Sequence, residues 1–451
     1  MARRLTRIAL AIYHKLSLPE SVRYSINKAF NRVAFDRAQQ VRHAAGIIDL
    51  EDYSVKERPS LYNFPEFENI WPDLLASIRL QIGASWPISH VITLPFFGIG
   101  GAQKSALETA RAIVQQTGQG VILLGVDKTL GAFPPSKPGI AIVDLCTLSS
   151  QSTTGHRQEL ILALLKHFGI ARVHNVNSEV VWDLYLRSSD RILPFATLFA
   201  SIFAYQFDEE GREITGYAQK FLQPGLDVCD TIFTDNQRFI EMATERLEGT
   251  GSPFHKLHCA YNPVPTPPSQ SVTSHKGGFV WAGRLDKDKR FGLLLDIATA
   301  RPDLKFHVFG SKVVSDVQND PMTNAPPNVI YEGPFSPETL SGFSIYDALL
   351  FTSNWEGLPN LLLEAGSAGV PIIAPLVGGV GELITYKTGF PLPEGATTEN
   401  YIDAIELVLS APSQAEKKSH ALKTLIGRRH SYSTFTDSLA AAPGYLGRSN
   451  A

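Results

Sequence analysis

From about residue 89 onward, short apolar runs alternate with longer stretches of mixed polarity. Val91-Ile92-Thr93-Leu94, Val121-Ile122-Leu123-Leu124, Ile140-Ala141-Ile142-Val143, Ala171-Arg172-Val173 and Thr231-Ile232-Phe233 read as strands buried on both faces. Uninterrupted apolar runs separated by helical spacing predict a parallel sheet with helices on both sides. Ile192 to Phe207 is uncharged over 16 residues and contains Pro194, so it reads as a buried strand with its loop. A membrane-spanning helix needs about 20. A second set of strands begins at Phe279-Val280-Trp281-Ala282. It continues through Phe306-His307-Val308-Phe309, Val329-Ile330-Tyr331, Ala348-Leu349-Leu350-Phe351 and Val370-Pro371-Ile372-Ile373-Ala374.

Between the two halves, Asn262-Pro263-Val264-Pro265-Thr266-Pro267-Pro268 and a Ser/Thr-rich stretch have the composition of a linker. The expected fold is therefore α/β, with two Rossmann-like domains facing across a cleft. The expected boundaries are an N-terminal extension over 1–88, a first domain over 89–265 and a linker over 266–277. A second domain follows over 278–435, and a tail over 436–451. Within the extension, Leu5, Ile8, Ala9, Ile12 and Leu16 repeat at helical spacing, and residues 46–88 read as an irregular segment wrapped on the body.

The chain has 451 residues, too many for one core, and carries a formal net charge of −3. No overall basic field recruits nucleic acid. The charge is uneven, because residues 1–45 hold nine Lys and Arg against two Asp and Glu. A basic amphipathic segment of this kind suits peripheral contact with an anionic membrane, or packing on the body. Cys146, Cys229 and Cys259 are scattered without metal-ligand spacing, which fits a reducing cytoplasm. Lys15 interrupts the first apolar stretch, and no small-residue cleavage site follows, so a signal peptide is not expected.

The chemistry concentrates in Glu356-Gly357-Leu358-Pro359-Asn360-Leu361-Leu362-Leu363-Glu364. Pro359 suits a helix start, and the amides of Leu358 and Asn360 there form an expected anion site. Carboxylates at Glu356 and Glu364 are suited to accept hydrogen bonds from sugar hydroxyls. Upstream, Gly283-Arg284-Leu285-Asp286-Lys287-Asp288-Lys289 follows the first strand of the second half. Arg284 and Lys289 at that strand end are placed to neutralise a diphosphate. Asp286 and Asp288 mimic a metal motif, but the interleaved Lys287 and Lys289 favour a solvated loop, and no metal site is expected. The turn at Gly98, Gly100 and Gly101 lacks the third glycine of a dinucleotide fingerprint.

On these residues the chain resembles the family-4 retaining glycosyltransferases of GT-B type. Glu356 and Glu364 match their two-glutamate pattern, and Arg284 and Lys289 their cation pair. Gly378-Gly379 with Glu382 match the glycine pair that follows, Gly100-Gly101 the N-terminal glycine turn, and Asn262-Pro263-Val264 the segment before the hinge. The resemblance implies two Rossmann-like domains, no metal or other cofactor, and transfer with retained configuration from a nucleotide-diphosphate sugar. The expected acceptor is a glycan or lipid-linked glycan. It assigns Glu364 to the ribose, Arg284 and Lys289 to the diphosphate, Glu356 to the donor sugar, and Gly100 and Gly101 to the donor phosphate. The stretch Phe207 to Ala218 also resembles bacterial surface-polysaccharide members, which points to polysaccharide or lipopolysaccharide biosynthesis. One departure stands out. Ala200 to Tyr205, where many relatives carry a cleft histidine, has none; His174 at another strand end is the candidate cleft residue. Two other readings fit the same architecture: a non-catalytic nucleotide-sugar-binding subunit, and an epimerase or phosphorylase.

Overall fold

The structure is a computed structural model, and it describes residues 67–83, 86–98, 100–129, 137–148, 153–207, 216–264, 275–310, 322–335, 339–340 and 342–447. The basic segment 1–45, residues 46–66 and the linker core at 265–274 therefore lie outside the described residues.

The first sheet has seven strands: β1 (Ile88–Leu94), β2 (Gly120–Gly125), β3 (Ile140–Asp144), β4 (Arg172–Val176), β5 (Thr197–Ser201), β6 (Thr231–Thr234) and β7 (Leu257–Cys259). They lie in the order β3-β2-β1-β4-β5-β6-β7 and pair in parallel throughout. The second sheet has β8 (Phe279–Ala282), β9 (Phe306–Phe309), β10 (Val329–Gly333), β11 (Ala348–Leu350), β12 (Ile372–Pro375) and β13 (Phe390–Leu392). Its order is β10-β9-β8-β11-β12-β13, again parallel. Each sheet thus reverses its winding beside its own first strand. Crevices at such switch points, beyond the carboxyl ends of the strands, are where open α/β sheets bind ligands. Both predicted sheets are present. The short strands β7 and β13, with three residues each, carry too little pattern to stand out in the sequence.

The helices of the first half are α1 (Phe67–Ile82), α2 (Gly101–Thr117), α3 (Thr154–Phe168), α4 (Glu179–Ser188), α5 (Tyr217–Val228) and α6 (Gln237–Arg246). Those of the second are α7 (Phe291–Ala300), α8 (Asn360–Ala368), α9 (Thr398–Ser410) and α10 (Pro412–Arg429), and α11 (Tyr432–Ala441) follows. Local chemistry sets their ends. Thr153 caps α3 by accepting from the His156 amide, and Gly118, Gly169 and Gly369 close α2, α3 and α8 in left-handed backbone.

Two segments depart from the sequence reading. Residues 67–82 form a helix rather than an irregular wrap, and it buries Ile70, Trp71, Leu74, Leu75, Ile78 and Ile82 in the first core. That spacing is helical; Pro72 and the aromatic composition masked it. At the end of α1, Gln81 Oε1 accepts from the Ile142 amide at 2.9 Å, and its Nε2 donates to the Ile142 carbonyl at 3.2 Å. One side-chain amide so pairs with both backbone groups on the free side of edge strand β3, which blunts the edge.

The second departure is at the C-terminus. Residues 436–447 are not a tail. Phe435, Leu439, Ala442 and Tyr445 are buried with Ile92, Phe199 and Phe233 of the first sheet. The chain therefore crosses back and completes the core of the half that it began with. The Tyr445 ring packs 4.7 Å from Phe199, 4.8 Å from Phe233 and 5.1 Å from His90, centroid to centroid. The small-residue composition of 438–444 hid this apolar face.

Tyr445→Ala should cost about 3–5 kcal/mol through the cavity it leaves. Tyr445→Phe should cost about 1–3 kcal/mol, because it strips a buried histidine nitrogen of its partner. Urea unfolding followed by fluorescence should show both losses in the transition of the first domain.

Candidate functional site

The site is built where the carboxyl ends of the two sheets approach each other. From β8, the chain enters the loop Gly283 to Arg290. Trp281 Nε1 donates to Thr352 Oγ1 at 2.9 Å, and Thr352 Oγ1 donates to the Lys289 carbonyl at 2.5 Å. The loop after β8 is thereby tied to the end of β11, and the Lys289 ammonium pairs with the Glu356 carboxylate. Both side chains are largely covered, at 26% and 14% exposure. Arg284 is turned elsewhere. Its Nε lies 2.8 Å from Asp286 and its guanidinium 3.4 Å from Asp288, and its side chain is 57% exposed. The expected Arg284–Lys289 clamp is not assembled, because the acids of the loop take the guanidinium. Among the described residues no group of three or more His, Cys, Asp or Glu is arranged to hold a metal ion.

The turn bearing Glu356 is shaped by glycine. The Gly379 amide donates to the Gly357 carbonyl at 2.9 Å. Gly378 has φ +51°, and a Cβ there would lie 1.9 Å from the Glu356 carbonyl oxygen. The glycine pair after β12 is thus required where two loops touch through backbone alone. On the other side of the turn, a Cβ on Gly357 would meet the Phe203 carbonyl at 2.8 Å and Asp235 Oδ1 at 3.2 Å. The first domain therefore presses directly on the Glu356 turn.

Helix α8 starts at Asn360, with Pro359 as its cap residue and no side chain capping it. Helix α2 starts at Gly101, with Gly100 in extended backbone and likewise no side-chain cap. The two starts meet: a Cβ on Gly101 would lie 3.2 Å from Asn360 Nδ2. Asn360 Oδ1 is buried there without a hydrogen-bond partner. Two uncapped helix N-termini in contact bring unpaired amides and two positive dipole ends to one place, which is an anion site. Lys104, on the first turn of α2, crosses to pair with the Glu364 carboxylate. Gly100, Gly101, Asn360, Lys289, Glu356 and Glu364 are therefore brought to the facing edges of the two domains.

Leu358 is buried at the turn before α8, where the backbone of the neighbouring Gly357 lies against Asp235 of the first domain. Asp235 carried no sequence signal, and nothing in its surroundings along the chain marks it. It is fully buried, and burial pushes its carboxyl up to about 7, against a hydrogen bond from Asn236 that pulls it down. Lys104 was also missed; its place on the first turn after the glycine pair was the available signal.

His174 is not a cleft residue. It is 1% exposed, with Nδ1 2.5 Å from Tyr445 Oη and Nε2 2.8 Å from Ser201 Oγ. Burial pushes its pKa down to about 3, so it stays neutral and is held as a structural crosslink between β4, β5 and the C-terminal segment. Beside it lies a void of about 10 Å³, the room of one water molecule.

Residues 270–424 match the family Glycosyl transferases group 1. That match covers most of the second domain and contains Arg284, Lys289, Glu356 and Glu364, so the resemblance to a glycosyltransferase drawn from these residues stands. The chain is 27% identical over 173 residues to the O-antigen biosynthesis glycosyltransferase WbnH of Escherichia coli, covering 38% of this chain and 48% of that protein. It spans about half the length of the curated relatives it matches. Among solved structures it resembles a glycosyltransferase from Rickettsia africae (TM-score 0.62, 15% identity, 81% of this chain and 100% of the other). It also resembles Anabaena Alr3699/HepE in complex with UDP (TM-score 0.58, 12% identity, 78% and 98%) and the lipopolysaccharide outer core galactosyltransferase WaaB (TM-score 0.55, 17% identity, 79% and 99%). The fold is the two-domain α/β architecture of GT-B glycosyltransferases.

The glycine contact makes a clear expectation. Gly378→Ala should destabilise the second domain by at least about 1–3 kcal/mol, the cost of a left-handed non-glycine residue, before the overlap with Glu356 is counted. Gly427→Ala, in the last turn of α10 with nothing near the added methyl, should instead stabilise by up to about 0.5–1 kcal/mol. Thermal melts of the two variants should move in opposite directions.

Proposed function

We propose that this protein is a retaining hexosyltransferase. It moves a sugar from a nucleoside diphosphate donor to a glycan or lipid-linked glycan during assembly of a bacterial surface polysaccharide. The observation that carries the reading is the meeting of the α2 and α8 N-termini between Lys289 and Lys104. Amides and ammonium groups aimed at one spot stabilise the charge that a departing diphosphate gains in the transition state. The group 1 match and the O-antigen relatives supply the direction of the chemistry. The structural neighbour with bound UDP fits a nucleoside diphosphate as the leaving group.

In this reading the donor enters between the domains. Its diphosphate lies against Gly100, Gly101 and the Asn360 end of α8, where the orphaned Asn360 oxygen is within the same cradle. Lys289 serves the diphosphate, and Glu356 turns from Lys289 to the donor sugar. Arg284 leaves Asp286 and Asp288 for the diphosphate, which is a stronger bidentate partner than two separate carboxylates on a half-exposed loop. Glu364 leaves Lys104 for the ribose hydroxyls. Cations fill the role that a metal would have, so turnover needs none.

Three measurements test this. A thermal-shift panel of nucleoside diphosphates should raise the melting temperature by mass action, and the strongest stabiliser names the base. Glu364→Ala should weaken that nucleotide by about 1–3 kcal/mol, the loss of charged hydrogen bonds. Release of free nucleoside diphosphate should require an acceptor and persist in excess chelator, with proton NMR showing the donor's anomeric configuration kept in the product. Donor binding with no acceptor-dependent release would leave a binding subunit in place of an enzyme. Dependence on magnesium or manganese would end the metal-free scheme.

The basic segment 1–45 is proposed to hold the enzyme at the plane of a lipid-linked acceptor. Each Lys or Arg near an anionic surface contributes on the order of 1 kcal/mol. Full-length protein should float with anionic vesicles at low salt, and a chain starting at residue 46 should not. Flotation that survives the deletion, or never occurs, removes the membrane role.

A further inference from the structure

Glu382 belongs to the glycine-pair motif, yet the transfer scheme gives it no task. It closes the turn Gly378–Glu382 after β12, in the second domain, and its carboxylate reaches the first. Oε1 accepts from the Arg238 amide at 2.9 Å, and Oε2 accepts from Tyr261 Oη at 2.5 Å. The Arg238 guanidinium takes no part, because it lies 3.1 Å from Glu241 and 3.5 Å from Glu245. The carboxylate is therefore held by a backbone amide in the first turn of α6. The first amides of a helix have no partner within it. Asn236 Oδ1 takes the Phe239 amide at 2.7 Å, and Glu382 takes that of Arg238. The start of α6 is thus capped from both domains, and the acid meets the positive end of the helix dipole.

The other end of the same turn backs the Glu356 peptide. The Gly379 amide donates to the Gly357 carbonyl at 2.9 Å, and a Cβ on Gly378 would lie 1.9 Å from the Glu356 carbonyl oxygen. A Cβ on Gly379 would also lie 2.8 Å from Asn236 Cβ, so the start of α6 presses on this segment. Five residues so connect the Glu356 turn to the first domain.

The chain crosses between the domains beside Glu382. Arg429 Nη2 donates to the Glu382 carbonyl at 2.9 Å, and the same guanidinium lies 4.6 Å over the Tyr261 ring. The Val264 amide donates to the His430 carbonyl at 3.0 Å, and His430 Nδ1 lies 2.9 Å from the Asn262 carbonyl oxygen. The segment that leaves the first domain and the one that returns to it are thereby bonded to each other, and both touch Glu382.

We propose that Glu382 is a positioning residue for the transfer reaction: by bonding the start of α6 and Tyr261 it anchors the Gly378–Glu382 turn to the first domain, and that turn holds the Glu356 peptide in place. In this role Glu382 touches neither donor nor acceptor and acts through the glycine pair. What Glu356 then does rests on the proposed function. The anchoring is independent of it.

The test compares wild type with Glu382→Ala and Glu382→Gln by amide hydrogen exchange and steady-state kinetics. In Glu382→Ala, exchange at the Arg238 amide should speed up by about tenfold or more, the factor carried by one hydrogen bond to a charged group. Exchange at the Gly379 amide should rise with it, because the turn has lost its anchor, while the β11 amides stay protected. Turnover should fall by about tenfold with donor KM within about threefold, since ground-state contacts with the donor remain. Glu382→Gln keeps an oxygen for the Arg238 amide and an NH2 group that Tyr261 Oη can accept, so it should recover most of the protection and most of the turnover. Unchanged exchange at Arg238 overturns the contact, and faster exchange there with Gly379 unchanged overturns the anchoring. Both amides faster with unchanged kcat overturns the positioning role, and so does a glutamine variant as impaired as the alanine one. If wild type shows no transfer, the proposed function fails, and the two amides still decide the anchoring. Should Glu382→Ala not fold, Tyr261→Phe removes one of the two bonds and should move the Gly379 amide and kcat in the same directions; no movement in either overturns the proposal.

Discussion

The arrangement of this molecule depends on a backbone-to-backbone contact that no side chain can enter. Gly378 and Gly379 lie on the Glu356–Gly357 peptide at distances that exclude a Cβ, and Gly357 in turn lies on the Phe203 carbonyl of the first domain. Three layers of chain are stacked there, and glycine is required in the middle one. Because peptide groups rather than flexible side chains set the spacing, the Glu356 turn has little freedom to drift. The position of Lys289 follows from the same rigidity, since Thr352 at the end of β11 holds its carbonyl.

Around that contact the two domains exchange charge in pairs. Lys104 of the first domain meets Glu364 of the second, and Glu382 of the second meets the start of α6. The apolar cores stay within their own sheets, apart from the C-terminal segment that returns to the first. An interface that joins by polar contacts costs less to open than one that must expose a core, because water can replace the partners that are lost.

The fold was legible because strands buried on both faces are largely apolar, and such runs mark most of the two sheets; the edge strand β10 reads the same way although its Ile330 and Tyr331 are exposed. Where an element is short, as at β13, or where proline and aromatics crowd an amphipathic helix, as at α1, the periodic signal is diluted. The C-terminal segment hid for a related reason: its buried Phe435, Leu439, Ala442 and Tyr445 are separated by small and turn-forming residues that dilute the apolar face. In the site, Glu356, Glu364, Lys289 and the glycines stood out because they fall together in short motifs. His174 misled because a histidine at a strand end has the same local sequence whether its nitrogens face a cleft or, as here, Tyr445 and Ser201. The Lys104–Glu364 pair was not legible, because its members lie 260 residues apart and only the meeting of the two domains brings them together.

The Lys104–Glu364 pair has a consequence for how any anionic, hydroxyl-bearing guest is received. The protein's own groups already satisfy the carboxylate that the proposed reading gives to ribose, through a cation carried by the facing domain. Admission of the guest is then an exchange of partners rather than a simple addition. One ion pair dissolves as another forms, so the count of charge contacts changes less than the list of new contacts suggests. Ionic strength weakens the departing pair along with the arriving one, and the two effects oppose each other. A site that keeps an internal stand-in for its guest should therefore hold that guest with an affinity that is muted but steady across changes in the surrounding salt.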